Sequence, residues 1–196
     1  MEQQSNLTGR IIAETERLLL REMRQDDLAA LCAIMCDEET MQAAYESPFT
    51  PVEVQRWLNR HLDRYRTLGF GLWAVVCKET GQMIGQCGLT LQQWDDRDLP
   101  EIGYLFRRDC WHKGYATEAA MACKQFAFHT LGLDRVCSII RDTHIASQRV
   151  ALRCGMQAVD RAVKTFRNTE MTFLLFQAER DGRADGTDES CDGPLR

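Results

Sequence analysis

Between Glu101 and Ala120 the chain reads Glu-Ile-Gly-Tyr-Leu-Phe-Arg-Arg-Asp-Cys-Trp-His-Lys-Gly-Tyr-Ala-Thr-Glu-Ala-Ala. Ile102, Tyr104 and Phe106 alternate with Gly103 and Leu105, the pattern of a strand. Ala116, Ala119, Ala120 and Cys123 recur at helical spacing. Between them lie His112, Lys113, Gly114, Tyr115, Ala116 and Thr117. A strand that turns tightly into a helix leaves backbone N–H groups free at the helix start, and those donors attract phosphates. Gly114 lets the backbone approach a ligand closely, and Lys113 and Arg108 add positive charge. This spacing suggests a pyrophosphate cradle, and it equally fits an ordinary turn containing a glycine. One glycine does not make the G-x-G-x-x-G of a dinucleotide site. No G-x-x-x-x-G-K-[ST] is present, which excludes a nucleoside triphosphate P-loop.

The elements that must position this turn are legible in outline. Residues 1–13 read as a loose lead-in and Arg17 to Glu22 as a strand. Asp26 is placed to cap a helix striped by Leu28, Leu31, Cys32 and Met35, and a short helix follows over Glu38 to Ala44. Thr50-Pro51-x-Glu53 spells a capping box with proline at the first helical position. The helix it opens carries Trp57, Leu58, His61, Leu62 and Tyr65 on one face and stops at Gly69. Gly71 to Lys78 and Met83 to Leu91 read as a hairpin around Thr80-Gly81, and Trp94 to Leu99 as an acidic loop. Arg135 to Arg141 is a strand, Ile145 to Cys154 a helix, and Ala158 to Thr165 with Glu170 to Ala178 a final hairpin. This order predicts an α+β fold with a mixed, mainly antiparallel sheet.

Three blocks resemble a known family. Trp111-His112-Lys113-Gly114-Tyr115-Ala116-Thr117-Glu118-Ala119 is similar to the acetyl-coenzyme A signature Gln/Arg-x-x-Gly-x-Gly/Ala of the GNAT superfamily of N-acetyltransferases. Its Trp and its Gly-Tyr-Ala-Thr-Glu-Ala resemble the branch of the ribosomal-protein alanine acetyltransferases (RimJ and RimL type). Thr143 to Met156 resembles that branch's Asn-x-x-Ser, short helix, Gly-Phe block, and Thr15 to Arg21 its first strand. The likeness runs over about residues 14 to 178. It implies the GNAT fold, in which the strand before the cradle and the strand after its helix splay apart and are flanked by helices. Acetyl-CoA would be the co-substrate. Its pantetheine arm would enter the gap along Tyr104, Leu105, Phe106 and Arg107, and its diphosphate would sit on His112 to Thr117, with His144 and Ser147 close by.

The implied reaction is direct transfer of acetyl from acetyl-CoA to a primary amine in a ternary complex. Such a transfer needs a base for the ammonium proton, donors at the thioester carbonyl, close positioning and a proton for a thiolate whose thiol pKa is near ~8.5. The resemblance makes Glu101 the candidate base, since related enzymes often carry a glutamate there. A surface carboxylate at a strand end is the competing reading. Ser147 matches the branch's serine, which lies near the sulfur; it also suits a helix cap. His144 departs from the branch's Asn; it is a third candidate at the leaving thiolate or a positional hydrogen-bonder. Met156 replaces Phe, a mild apolar exchange. No tyrosine except Tyr115 lies between Leu105 and Ala178 to act as the acid found elsewhere in the superfamily. The acceptor wall is expected from the Met23–Ala44 helices, the Tyr45–Phe49 loop and the Trp94–Leu99 loop. There Asp95, Asp96 and Asp98 make either an acidic mouth for a cationic amine or a solvated loop. A silent coenzyme A-binding sensor is the alternative function. A nucleotide hydrolase is disfavoured, because nothing ligating magnesium accompanies the cradle.

Composition sets the remaining bounds. With 196 residues, 44% hydrophobic and 27% charged, residues 1–180 are expected to form one domain. Residues 181–196 carry a net charge of −3 of the chain's −5 and lack periodicity, so an acidic disordered tail is expected. The acidic balance points away from nucleic acid. No segment approaches the roughly 18 apolar residues of a membrane span, and no metal site is indicated. Nine cysteines without a C-x-x-C pair suit a reduced, cytoplasmic protein. The partner is an amine, either a small molecule or a protein N-terminus, and the chain is expected to be a monomer or homodimer.

Overall fold

The structure is a computed structural model that describes residues 9–44, 47–166 and 169–180. The acidic tail and part of the Tyr45–Phe49 loop therefore lie outside the described residues. Among the described residues eight strands form one sheet in the order β1-β2-β3-β4-β5-β6-β8-β7. They are β1 (Ile11–Glu14), β2 (Leu18–Arg21), β3 (Leu72–Cys77), β4 (Met83–Trp94), β5 (Arg97–Phe106), β6 (Arg135–Arg141), β7 (Gln157–Phe166) and β8 (Thr169–Glu179). The helices are α1 (Leu28–Met35), α2 (Glu38–Ala43), α3 (Pro51–Leu68), α4 (Tyr115–Gln125), extended by a π turn over Phe126–Thr130, and α5 (Ile145–Arg153). Every strand pair is antiparallel except β5–β6. This is the α+β architecture expected from the element order.

Two apolar clusters lie on opposite faces of the sheet's first half. Cys87, Leu89, Ile102 and Phe106 pack with Ala119, Cys123 and Phe126 of the α4 side and with Val150 and Ala151 of α5. Leu72 and Ala74 pack with Leu31, Ile34, Val54 and Leu58 of α1 and α3. Alternation along β4 and β5 therefore decides which residues each helix layer covers. The α3 box forms as its sequence predicts: the Glu53 N–H donates to Thr50 Oγ1 at 3.3 Å and the Thr50 N–H to Glu53 Oε2 at 2.7 Å. Gly69 ends the helix at φ 76°. One turn apart on α3, His61 and Tyr65 complete the backbone of Leu72. The Leu72 N–H donates to His61 Nδ1 at 3.2 Å, and the Tyr65 hydroxyl donates to the Leu72 carbonyl. Burial pushes His61 down to about 3, so it is a neutral structural imidazole.

Three sequence expectations are corrected. The lead-in contains β1, whose pairing with β2 supplies the backbone partners an unstructured segment would lack. The helix entry uses Asp27, not Asp26. Asp27 accepts the Arg24 N–H at 2.8 Å and a two-pronged ion pair from Arg21 at 2.7 Å, both partners buried. Finally, Trp94 to Leu99 is no loop. The strands run on to a two-residue turn at Asp95 and Asp96, with Asp95 at φ 51°. Trp94 is fully buried there with Leu99, Cys137 and Leu175. Its indole donates to Asp160 Oδ2 at 2.9 Å, while Lys164 sits 4.3 Å over its ring and donates to Gln93 O at 2.9 Å. A tryptophan at the tip of an acidic run reads as exposed until β7 arrives to cover it.

Candidate active site

The strands part at Glu101. β5 and β6 pair only at Glu101 and Cys137, and beyond that point no ladder joins them. Two side chains stand in for the missing ladder. Ser138 Oγ donates to the Ile102 carbonyl at 2.9 Å, and the Ile139 N–H donates to Glu101 Oε1 at 3.1 Å. Thr90 Oγ1 donates to Glu101 Oε2 at 3.3 Å from the neighbouring strand. Burial pushes the Glu101 carboxyl up to about 7 against these hydrogen bonds. The residue is thus mid-strand in β5, which starts at Arg97, and is half-buried with a carboxyl poised near neutrality. That departs from the surface carboxylate the sequence also allowed.

Tyr104 faces the gap from the other side of the sheet. Its hydroxyl lies 2.8 Å from Ser147 Oγ and donates to the Ser147 carbonyl at 3.1 Å. Burial drives its pKa well above the ordinary phenol value, so it stays protonated. Ser147 is the third residue of α5, and it spends its hydroxyl on Tyr104, not on capping. His144 holds the N-cap position and makes no side-chain cap bond there. Burial lowers its pKa, leaving the imidazole neutral near pH 7. Sequence reasoning sought a tyrosine near α5 by looking C-terminal to Leu105. The signal for Tyr104 was strand alternation, which turns it to the face opposite Glu101.

The cradle is built at the start of α4. Gly114 at φ 83° is its N-cap, and His112 also takes a positive φ of 60°. The first intrahelical bond runs from the Glu118 N–H to Gly114 O. The amides of Tyr115, Ala116 and Thr117 precede it and have no carbonyl within the helix. His112, Lys113 and Gly114 are exposed. Arg17, which the sequence did not single out, pins the cradle. Its guanidinium donates to Lys113 O at 2.9 Å, pairs with Glu118 at 2.6 Å and lies 4.7 Å over the Tyr115 ring. Partial burial would raise the Glu118 carboxyl, but Thr15 and Arg17 hold it below its ordinary value. The Trp111 indole donates to Phe106 O at 2.8 Å, fastening the end of β5 to the turn. Arg107 is paired with Asp109 at 2.6 Å, and its N–H donates to Ile84 O. Free amides, a left-handed glycine and a parted sheet beside them fit a long ligand with a diphosphate and an extended arm. A groove of about 460 Å³ between β1 and α4 lies elsewhere, and of the residues named for the site it touches only Thr15 and Glu118.

The family model described as the Acetyltransferase (GNAT) domain matches residues 17–157. The chain belongs to the GNAT acetyltransferases. It is 33% identical over 142 residues to the uncharacterized protein YkkB of Bacillus subtilis (strain 168), covering 72% of this chain and 83% of that one. A crystal structure of the acetyltransferase from Agrobacterium tumefaciens aligns with a TM-score of 0.71 at 26% identity, over 86% of this chain and 94% of that chain. RimL, a ribosomal L7/L12 alpha-N-protein acetyltransferase in complex with coenzyme A, aligns at 0.73 and 14% identity, over 89% and 100%. Its likeness at that identity is one of fold. The GNAT chain is an acetyl-CoA-dependent N-acetyltransferase. Among its described residues no helix is long and apolar enough to cross a membrane.

Proposed function

We propose that this GNAT enzyme acetylates a primary amine by direct attack, with Glu101 as the base and the Tyr104–Ser147 pair at the departing sulfur. The observation that carries this reading is the parting of β5 and β6 at Glu101, with a carboxyl raised to about 7 on one face and a protonated phenol on the other. An amine must lose a proton and a thiolate must gain one, and the two groups stand on opposite sides of the same strand. His112 to Thr117 hold the diphosphate on their amides, and the unpaired edge of Tyr104, Leu105 and Phe106 receives the extended arm. Ionised Glu101 takes the ammonium proton. The Tyr104 hydroxyl, oriented by Ser147, hydrogen-bonds the sulfur as charge develops there. His144, neutral at the head of α5, positions the segment and does not carry a proton.

The acceptor reaches Glu101 from the α1–α3 face. Asp98 lies on the opposite face of β5, and Asp95 and Asp96 sit exposed at the turn, so this acidic run acts as a solvated hairpin tip. All described cysteines are free, which suits a reducing cytoplasm. Thiol release from acetyl-CoA, measured against peptide N-termini and small amines, tests the reading. Turnover with at least one class is expected. Tight acetyl-CoA binding without turnover on any amine would instead make the protein a sensor.

A further inference from the structure

Gly103 is a glycine that the fold does not need. Among the described residues, Gly69, Gly81, Gly114, Gly132 and Gly155 take positive φ, which demands glycine. Gly9, Gly71, Gly85 and Gly88 have no room: a Cβ there would come within 2.3, 2.8, 2.6 and 2.1 Å of a neighbouring atom. Gly103 has neither constraint. Its φ is not positive, and a Cβ would meet only Leu72 Cδ2, at an ordinary 3.6 Å. A strand interior favours a side chain, since glycine weakens it.

Its position suggests what fills the space. Gly103 is two residues from Glu101, hence on the same face of β5, and it pairs across the ladder with Gly88. The backbone of Gly71 and Leu72 closes over Gly88, so Gly103 is the position left bare next to the carboxyl. On one flank stands the α1–α3 cluster, with Leu72 and half-buried Leu105. On the other stands the Trp94 cluster, with half-buried Ile139 and Phe173. Between these flanks lie the Gly103 position and the Glu101 carboxyl, with Gln86 and Thr90 of β4 paired opposite Leu105 and Glu101.

We propose that Gly103 is a size gauge for the acetyl acceptor: its missing side chain keeps open a recess that takes the uncharged carbon group attached to the reacting amine. This rests on the acceptor arriving at the Glu101 face. It assigns the enzyme to amines bearing a compact, uncharged group beside the nitrogen, in preference to long polycations.

The test compares wild type, Gly103→Ala and Gly103→Val on glycinamide, alaninamide and valinamide. Melting temperature and acetyl-CoA affinity are measured on the same samples. Gly103→Ala is expected to keep its melting temperature or gain slightly, as glycine replacement at a permissive position does. Acetyl-CoA affinity should stay within about twofold, because one methyl outside the cradle adds little strain. The ratio of kcat/KM for valinamide to that for glycinamide should fall by about tenfold or more, the scale set by one methylene in an apolar pocket. Gly103→Val should extend the loss to alaninamide. Equal losses on all three amides, an unchanged ranking, a collapsed melting temperature or wild-type silence on all three would each overturn the proposal. Base function at Glu101 is read separately: a size ranking that persists in Glu101→Gln upholds the recess even where the base assignment fails.

Discussion

Glu101 is held by the same bonds that end the β5–β6 ladder, so its chemistry and the split in the sheet share one cause. The Ile139 amide and the Thr90 hydroxyl fix the carboxylate in place, while burial lifts its pKa to about 7. As a base it works only when ionised, so kcat/KM is expected to rise with pH through an apparent pKa near 7. Glu101→Gln should lose that limb and cut the rate about 10²- to 10⁴-fold below the pH where the amine deprotonates unaided. Equal loss at every pH would remove the base role. The same shift has a stability sign. A raised folded pKa favours the folded state fully below the ordinary 4.5, and that contribution is lost as pH rises through about 7. Melting curves of Glu101→Gln should therefore gain on wild type above pH 7 and not below 4.5. Across the strand, Tyr104 and Ser147 act as one unit. Tyr104→Phe removes the donor and should lower kcat by about 10²-fold. Adding Ser147→Ala should cost little more, because paired groups are not additive.

At the scale of elements, the site depends on how strands and helices begin and end. α4 starts at a left-handed glycine, and its amides face the cradle because nothing inside the helix can use them. Arg17, on the turn before β2, ties that start to the far side of the sheet through Lys113 and Glu118. The entry to α1 is secured differently, by the buried Arg21–Asp27 pair. Removing one partner strands the other in the interior, which costs roughly 3–5 kcal/mol. Asp27→Ala should thus lower the melting temperature by about 10 °C or more. Acetyl-CoA affinity of the folded protein should change little, since Asp27 touches no part of the cradle. Thermal melts check the first half, and titration calorimetry at a temperature where both proteins are folded checks the second.

For the whole molecule, a gap between strands is a stability deficit that a ligand offsets. The unpaired edge of β5 and the free amides of α4 both gain partners when the arm and diphosphate bind. A ligand that binds only the folded state at 100 times its Kd adds about 2.7 kcal/mol. For a chain of this size that corresponds to a rise of about 5–10 °C. A thermal shift with acetyl-CoA is expected on that scale, and its absence would contradict the cradle. The two halves of the sheet are otherwise joined below the split by Trp94, Asp160 and Lys164, which clasp the β4–β5 hairpin to β7.

Much of this was legible in the chain itself. The Trp111 to Thr117 block, the Thr50 box, Gly69 and the strand–helix order follow from local rules of dihedral preference, capping and periodicity, and these rules act within a few residues. What they could not reach were the pairings between distant segments. Asp27 and Asp26 are equivalent caps until Arg21 is placed beside one of them. Trp94 is an exposed loop residue until β7 covers it. Tyr104 and Ser147 lie 43 positions apart and meet only because α5 packs over the gap. Sequence alone carried the family resemblance that implies acetyl-CoA, since the Trp111 to Thr117 block is a contiguous run. Tertiary structure decided that Glu101 and Tyr104 border a gap, because the parting of two strands exists only once both are in the sheet.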